Sequence, residues 1–258
     1  MLVYLAVSLV PACLWLWWLR RQDVYDPEPV SLVLGSFFGG MVMALPAIVI
    51  QWLLTKALIQ RPEGIWYAPG TGSFDEAVLY CFGIVAPVEE YLKYRAVRAG
   101  AWKSPEFDEP MDGIVYMGSA AVGFATLENA LYMRGYGASI LAIRMLLSTF
   151  LHVACSCIIG VQLGLARFKP QEERRLLAKG FALAVVIHGA YDFLALYQPV
   201  AGFLALFLLV AGLNVARRSF LTNIEAALES SPFKPRTTLM PQKGVRSSRQ
   251  NIAAASPP

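Results

Sequence analysis

The stretch Phe82–Val97, FGIVAPVEEYLKYRAV, decides how this chain is read. An apolar run meets Pro87, then two adjacent carboxylates, Glu89 and Glu90, then Lys93 and Arg95, with Arg98 just beyond. The surrounding chain is 57% hydrophobic and only 16% charged, with a mean hydropathy of +0.51, which lies outside the range of ordinary soluble domains. The two glutamates therefore sit in, or at the edge of, a membrane helix. An ionisable group there costs about 3 kcal/mol on insertion scales, and such groups are usually paired, inward-facing and functional.

Working outward, a spanning helix needs roughly 20 mostly apolar residues. Seven segments qualify: 2–19, 30–57, 75–95, 112–133, 138–166, 179–197 and 200–216. The expected fold is an all-α, polytopic membrane bundle of about seven transmembrane helices. The first segment carries its basic pair, Arg20 and Arg21, after the apolar run and is followed by no small-residue cleavage site, so it reads as an anchor. With the N-terminus outside, all of the 22 Lys and Arg except Lys56, Arg61, Arg134 and Arg144 fall on the inner side. The positive-inside rule then gives an N-out, C-in orientation.

Residues 1–229 form the expected membrane domain. Residues 230–258 are rich in Ser, Pro and basic residues and contain no acid, which predicts a disordered cytoplasmic tail able to touch anionic lipid. Cys13, Cys81, Cys155 and Cys157 all lie in apolar segments without CxxC spacing and read as packing residues. No internal repeat is apparent, which speaks against an inverted-repeat transporter.

The costly residues are few: Glu89 and Glu90 in the third span, Glu128 with Asn129 in the fourth, His152 in the fifth, and His188 with Asp192 in the sixth. Both histidines of the chain are among them. His188 and Asp192 are i and i+4, hence on one helical face. Glu89 and Glu90 point roughly 100° apart, so one can face a cavity while the other pairs with Lys93 or Arg95. Pro87 loosens the backbone just before them. The small residues Gly113, Gly118, Ser119, Ala120, Ala121, Gly123 and Ala125 let neighbouring helices approach the one that carries Glu128. Asp112 reads as a helix-start residue, and Asp75, Glu76 and Arg144 as capping or snorkelling groups.

Carboxylates and imidazoles on separate helices suit activation of water, and two mechanisms stay open. In one, Glu89 or Glu90 with His152, His188 and Glu128 or Asp192 holds a zinc ion, and a free glutamate is the general base. In the other, a glutamate with a histidine deprotonates water without a metal, while another histidine or Asn129 stabilises the oxyanion. The chain has no HExxH motif.

These residues carry a resemblance. EEYLK matches the EExxK motif of the PrsW family of intramembrane proteases, GFATLEN is similar to its FxxxEN motif, and HGAYD to its HxxxD-type motif. RRQDVYDPEP, after the first span, also resembles that family, so the likeness runs from about residue 20 to residue 195. It implies an intramembrane endopeptidase, distantly similar to the CAAX protease and bacteriocin-processing family, whose namesake branch starts the release of a membrane anti-sigma factor. Carried over, it names Glu89, Glu90, Glu128 and His188 as catalytic. It makes His152 and Asp192 ligands or orienters; the candidate metal ligands are then His152, His188, Asp192 and Glu128, and Asn129 stays the candidate oxyanion donor read from the residues themselves. The expected partners are a membrane protein substrate and the lipid bilayer, with no nucleic acid, in what the family implies is a bacterial plasma membrane. Two rival readings use the same residues: a proton-coupled transporter or channel with a Glu/His/Asp relay, and a catalytically dead scaffold binding helices through its small-residue faces.

Overall fold

The computed structural model describes residues 1–59, 72–137, 147–197 and 203–234. Among these there is no strand; the chain is a bundle of helices. Helix α1 (Leu2–Gln22) ends on Arg20 and Arg21, which complement the negative end of its dipole. In the connection that follows, Pro27 and Pro29 disfavour helical backbone before them and hold the chain open until α2 (Val30–Leu58).

A short helix α3 (Phe74–Val78) starts at Ser73, whose hydroxyl accepts from the Glu76 amide while the Glu76 carboxylate accepts from the Ser73 amide. It runs into a π-helical segment, Leu79–Val85, and then α4 (Ala86–Ala99). Pro87 has no N–H to return to the preceding turn, and the Ala86 amide reaches back five residues to the Cys81 carbonyl. The wide turn therefore ends where the proline breaks the ladder.

Helix α5 (Pro110–Tyr136) lies at the centre, packed by α1, α2 and α6 (Thr149–Phe168). Its small residues make this possible. A Cβ on Gly113 would stand 2.1 Å from the Gly160 carbonyl oxygen of α6, and one on Gly123 would stand 1.8 Å from the Phe37 carbonyl oxygen of α2. Helices approaching this closely gain van der Waals contact that lipid cannot compete for. Helix α7 (Glu173–Leu196) packs on α6 and α4, and α8 (Phe203–Glu229) on α6 and α7. An ion pair, Arg98 to Glu173 at 2.9 Å, ties α4 to α7.

Among the described residues, five helices are long and apolar enough to cross a membrane: α1, α2, α5, α6 and α7 with the turn before it. Helix α2 presents Leu34, Phe38, Val42, Leu45, Val49 and Leu53 outward on one helical face, a surface suited to acyl chains. The expected third span, 75–95, is helical but divided by the π segment and burdened with charge, so it is not one of the five. The expected fifth span begins in residues 138–146, outside the described residues, and its described part starts at Thr149. Of the seventh, 200–216, residues 200–202 lie outside the described residues, and the rest falls within a helix that runs from Phe203 to Glu229. Of the expected tail, residues 235–258 lie outside the described residues. Cys81, Cys155 and Cys157 are buried free thiols, as packing residues should be, whereas Cys13 is exposed.

Candidate functional site

The six expected titratable residues meet in one place. Helix α4 brings Glu89, Glu90 and Lys93; α5 brings Glu128; α6 brings His152; α7 brings His188 and Asp192. Glu89, Glu90, Lys93, His152 and His188 are all buried, with Lys93 and Glu90 at 0% exposure.

Glu90 is saturated with donors. Its Oε1 accepts from Lys93 Nζ at 2.8 Å and from His188 Nδ1 at 2.9 Å, and its Oε2 accepts from Ser156 Oγ at 2.8 Å. Three donors on one carboxylate fix both its charge and its orientation. The Lys93 ammonium also donates to His152 Nδ1 at 2.8 Å and lies 4.7 Å above the Phe124 ring. Because an ammonium has no acceptor, His152 Nδ1 must be the unprotonated nitrogen, and its Nε2–H donates to Glu128 Oε2 at 2.9 Å.

Glu89 differs. Its Oε1 accepts from Gln51 Nε2 of α2 at 3.1 Å, but its buried Oε2 accepts no hydrogen bond. That oxygen lies 3.6 Å from Lys93 Nζ, 3.7 Å from His152 Nδ1 and 3.8 Å from His188 Nε2. The two imidazoles stand nearly perpendicular, 88° apart with centroids at 5.0 Å. His188 gives its Nδ1 hydrogen to Glu90, so its Nε2 faces Glu89 Oε2 and Asp192 Oδ2, the latter at 3.4 Å. A nitrogen between two carboxylates needs a positive centre there, either its own proton or a cation.

A metal fits this set. Glu89, His152 and His188 each offer a donor atom within 4.8 Å of the others, and Glu89 Oε2 is an orphan buried oxygen. A histidine whose second nitrogen is held by a carboxylate is the usual support for a ligated imidazole, and Glu90 supplies it to His188. Glu89 with His152 and His188 is the trio of the zinc mechanism read from the sequence, while Glu128 and Asp192, also expected as ligands, contact the histidines. The Glu128 and Asp192 side chains are 20% and 16% exposed, so they mark the open edge of the pocket.

Asn129 is buried, and its amide donates to Thr149 Oγ1 at 3.0 Å, one turn before His152. Two participants escaped the reading of the sequence. Gln51 and Ser156 are ordinary polar residues in apolar helices, and only their contacts single them out. Lys93 stood out as a pairing partner, but its simultaneous hold on Glu90 and His152 needs α6 in place.

Residues 28–215 match the family described as PrsW family intramembrane metalloprotease. The Protease PrsW of Geobacillus kaustophilus (strain HTA426) is 34% identical over 206 residues, covering 80% of this chain and 85% of the relative. That of Bacillus subtilis (strain 168) is 35% identical over 195 residues, covering 75% and 83%. That of Shouchella clausii (strain KSM-K16) is 32% identical over 187 residues, covering 72% and 80%. No solved structure matches. With a family match over most of its length and relatives above 30% identity that it nearly spans, the chain belongs to the PrsW family of intramembrane metalloproteases and is a membrane-embedded peptidase.

Proposed function

We propose that this peptidase hydrolyses a peptide bond of a membrane protein substrate at the pocket lined by α4, α5, α6 and α7, with Glu89 as the residue that receives or directs the attacking water. The observation that carries this is the orphan Oε2 of Glu89, a buried carboxylate oxygen without a donor, between two imidazoles and an ammonium. An acceptor so placed takes a proton from a water held among those groups.

The other residues have separate tasks. Glu90 holds His188 in the tautomer that turns Nε2 toward the pocket, and Lys93 offsets the charge of the paired glutamates. Glu128 orients His152, and Asp192, at the open edge, contacts His188. Asn129 serves as a positioning residue, joining α5 to the start of α6, which carries His152. With zinc, the expected ion, bound, Glu89, His152 and His188 would hold it, Glu89 then acting as a ligand in place of the base, and the ion would acidify a bound water and polarise the scissile carbonyl.

The substrate class follows from the setting: a single-pass or lipid-linked membrane protein whose strand unwinds into the pocket, cut in a regulatory role such as the release of an anti-sigma factor. The basic-residue bias supports an N-out, C-in orientation with a cytoplasmic tail in a bacterial plasma membrane. A proton relay through the same residues is the weaker reading, since the relatives are named proteases.

Glu89→Gln preserves the shape and the Gln51 contact but removes the base. It is expected to lower turnover of a reporter substrate in proteoliposomes by about 100-fold or more, with thermal stability retained. Wild-type turnover in that variant removes the proposal. Elemental analysis of the purified chain, with a chelator test on turnover, separates the zinc route from the metal-free one.

A further inference from the structure

A second group of acids lies at the other end of α5, and the peptidase chemistry does not use it. Asp23, in the connection between α1 and α2, meets Glu109 and Asp112 at the start of α5. Along α5, Asp112 is roughly 24 Å from Glu128 at the helical rise of 1.5 Å per residue. The three carboxylates are 1%, 0% and 1% exposed, and each offers an oxygen within 4.8 Å of the others.

Their partners leave a gap. Asp112 Oδ2 accepts from the Asp108 and Glu109 amides at 2.6 and 2.7 Å, and Asp23 Oδ1 from the Asp26 amide at 3.4 Å. Asp23 Oδ2 and Asp112 Oδ1 are sealed from solvent and accept nothing, while Glu109, equally buried, has only the Asp112 amide and the Ser231 hydroxyl beside it. Among the described residues no Lys or Arg forms an ion pair with any of the three. Glu28 borders the group, accepting from the Tyr116 hydroxyl and offering its backbone carbonyl to Arg20 Nε at 2.7 Å. Buried orphan oxygens of like charge repel one another and have lost their water, so something positive must lie between them. Burial and the neighbouring Glu109 push Asp23 up to about 8, and burial and Asp112 push Glu28 up to about 10.

We infer that Asp23, Glu109 and Asp112 form a binding site for a hard divalent cation of the Mg2+, Ca2+ or Mn2+ class, separate from the Glu/His pocket, which staples the α1–α2 connection to the first turn of α5. An all-oxygen carboxylate set is what such ions select, and two oxygens on one Ca2+ stand at most about 5 Å apart. A shared proton is the competing way to relieve the repulsion.

The experiment uses the full-length protein in micelles, stripped with chelator and titrated with Mn2+ under electron paramagnetic resonance, with Ca2+ and Mg2+ as competitors. A His152→Ala/His188→Ala protein separates this site from the catalytic pocket. Saturable Mn2+ at one ion per chain is expected in both proteins, displaced by Ca2+ or Mg2+ and raising the melting temperature. Asp23→Asn or Glu109→Gln should weaken it by at least about tenfold. Absence of saturable binding up to millimolar Mn2+, or binding undiminished in both carboxamide variants, overturns the inference in favour of the shared proton. Should a variant fail to fold, the wild-type titration alone still decides.

Discussion

At the residue scale, Lys93 is the hub. It lies at 0% exposure within bonding distance of Glu90 and His152, with Glu89 close by. Removing one partner of a buried ion pair leaves the other charge without compensation. Lys93→Met should therefore destabilise the protein by about 3–5 kcal/mol, and the Lys93→Met/Glu90→Gln pair should recover much of that loss. Unfolding in mixed micelles measures both; equal loss in the single and double variants contradicts the pairing. The identities of these residues were legible in the sequence because ionisable groups in apolar spans are rare. Their partnerships were not. EEYLK allows Lys93 to reach Glu89 or Glu90 by helical spacing alone, and only the arrival of Ser156 and His188 from other helices selects Glu90 as the saturated carboxylate and Glu89 as the open one.

At the scale of the element, two backbone features place the site. The π segment before Pro87 sets the register of α4 against the helical turns before it, and both adjacent glutamates are buried although they point apart because α2, α5, α6 and α7 all pack on α4. The glycines of α5 set its distance from α2 and α6. Gly123→Ala puts a methyl 1.8 Å from a carbonyl oxygen, forcing the helices apart at an expected cost of about 1–3 kcal/mol. Gly35→Ala on α2, with nothing within 4 Å, should be neutral or stabilising by up to about 1 kcal/mol. Melting temperatures of the two variants test the contrast, and equal shifts would mean that α2 and α5 are not in tight contact. The small residues were visible beforehand. Which neighbour each one admits was not, because a stripe of glycine and alanine names no partner.

At the scale of the whole molecule, α5 carries two acidic centres, one near each end: the pocket at Glu128 and the carboxylates around Asp112. Under the proposed orientation the α1–α2 connection and the start of α5 face the cytoplasm. A reporter fused at the N-terminus should then be accessible outside intact cells, and one fused at the C-terminus only after permeabilisation. The reverse pattern would turn the orientation over and place the Asp23 group on the outer side. Asp112 shows where reading the sequence stopped short. Its helix-start role is present, since it accepts from two amides before α5, yet its second oxygen belongs to a cluster completed by Asp23 from a distant connection.

The sequence by itself determined the class of molecule and the short roster of groups that chemistry would need, because hydropathy and the cost of burying charge act locally along the chain. The tertiary structure decided which of those groups touch, which carboxylate is left without a donor, and that Asp23 and Glu28 of the DVYDPEP connection are buried rather than hydrated. Helical periodicity sets faces within one helix, but the register between helices comes from packing. Here that packing rests on close glycine contacts whose partners lie far apart in the chain.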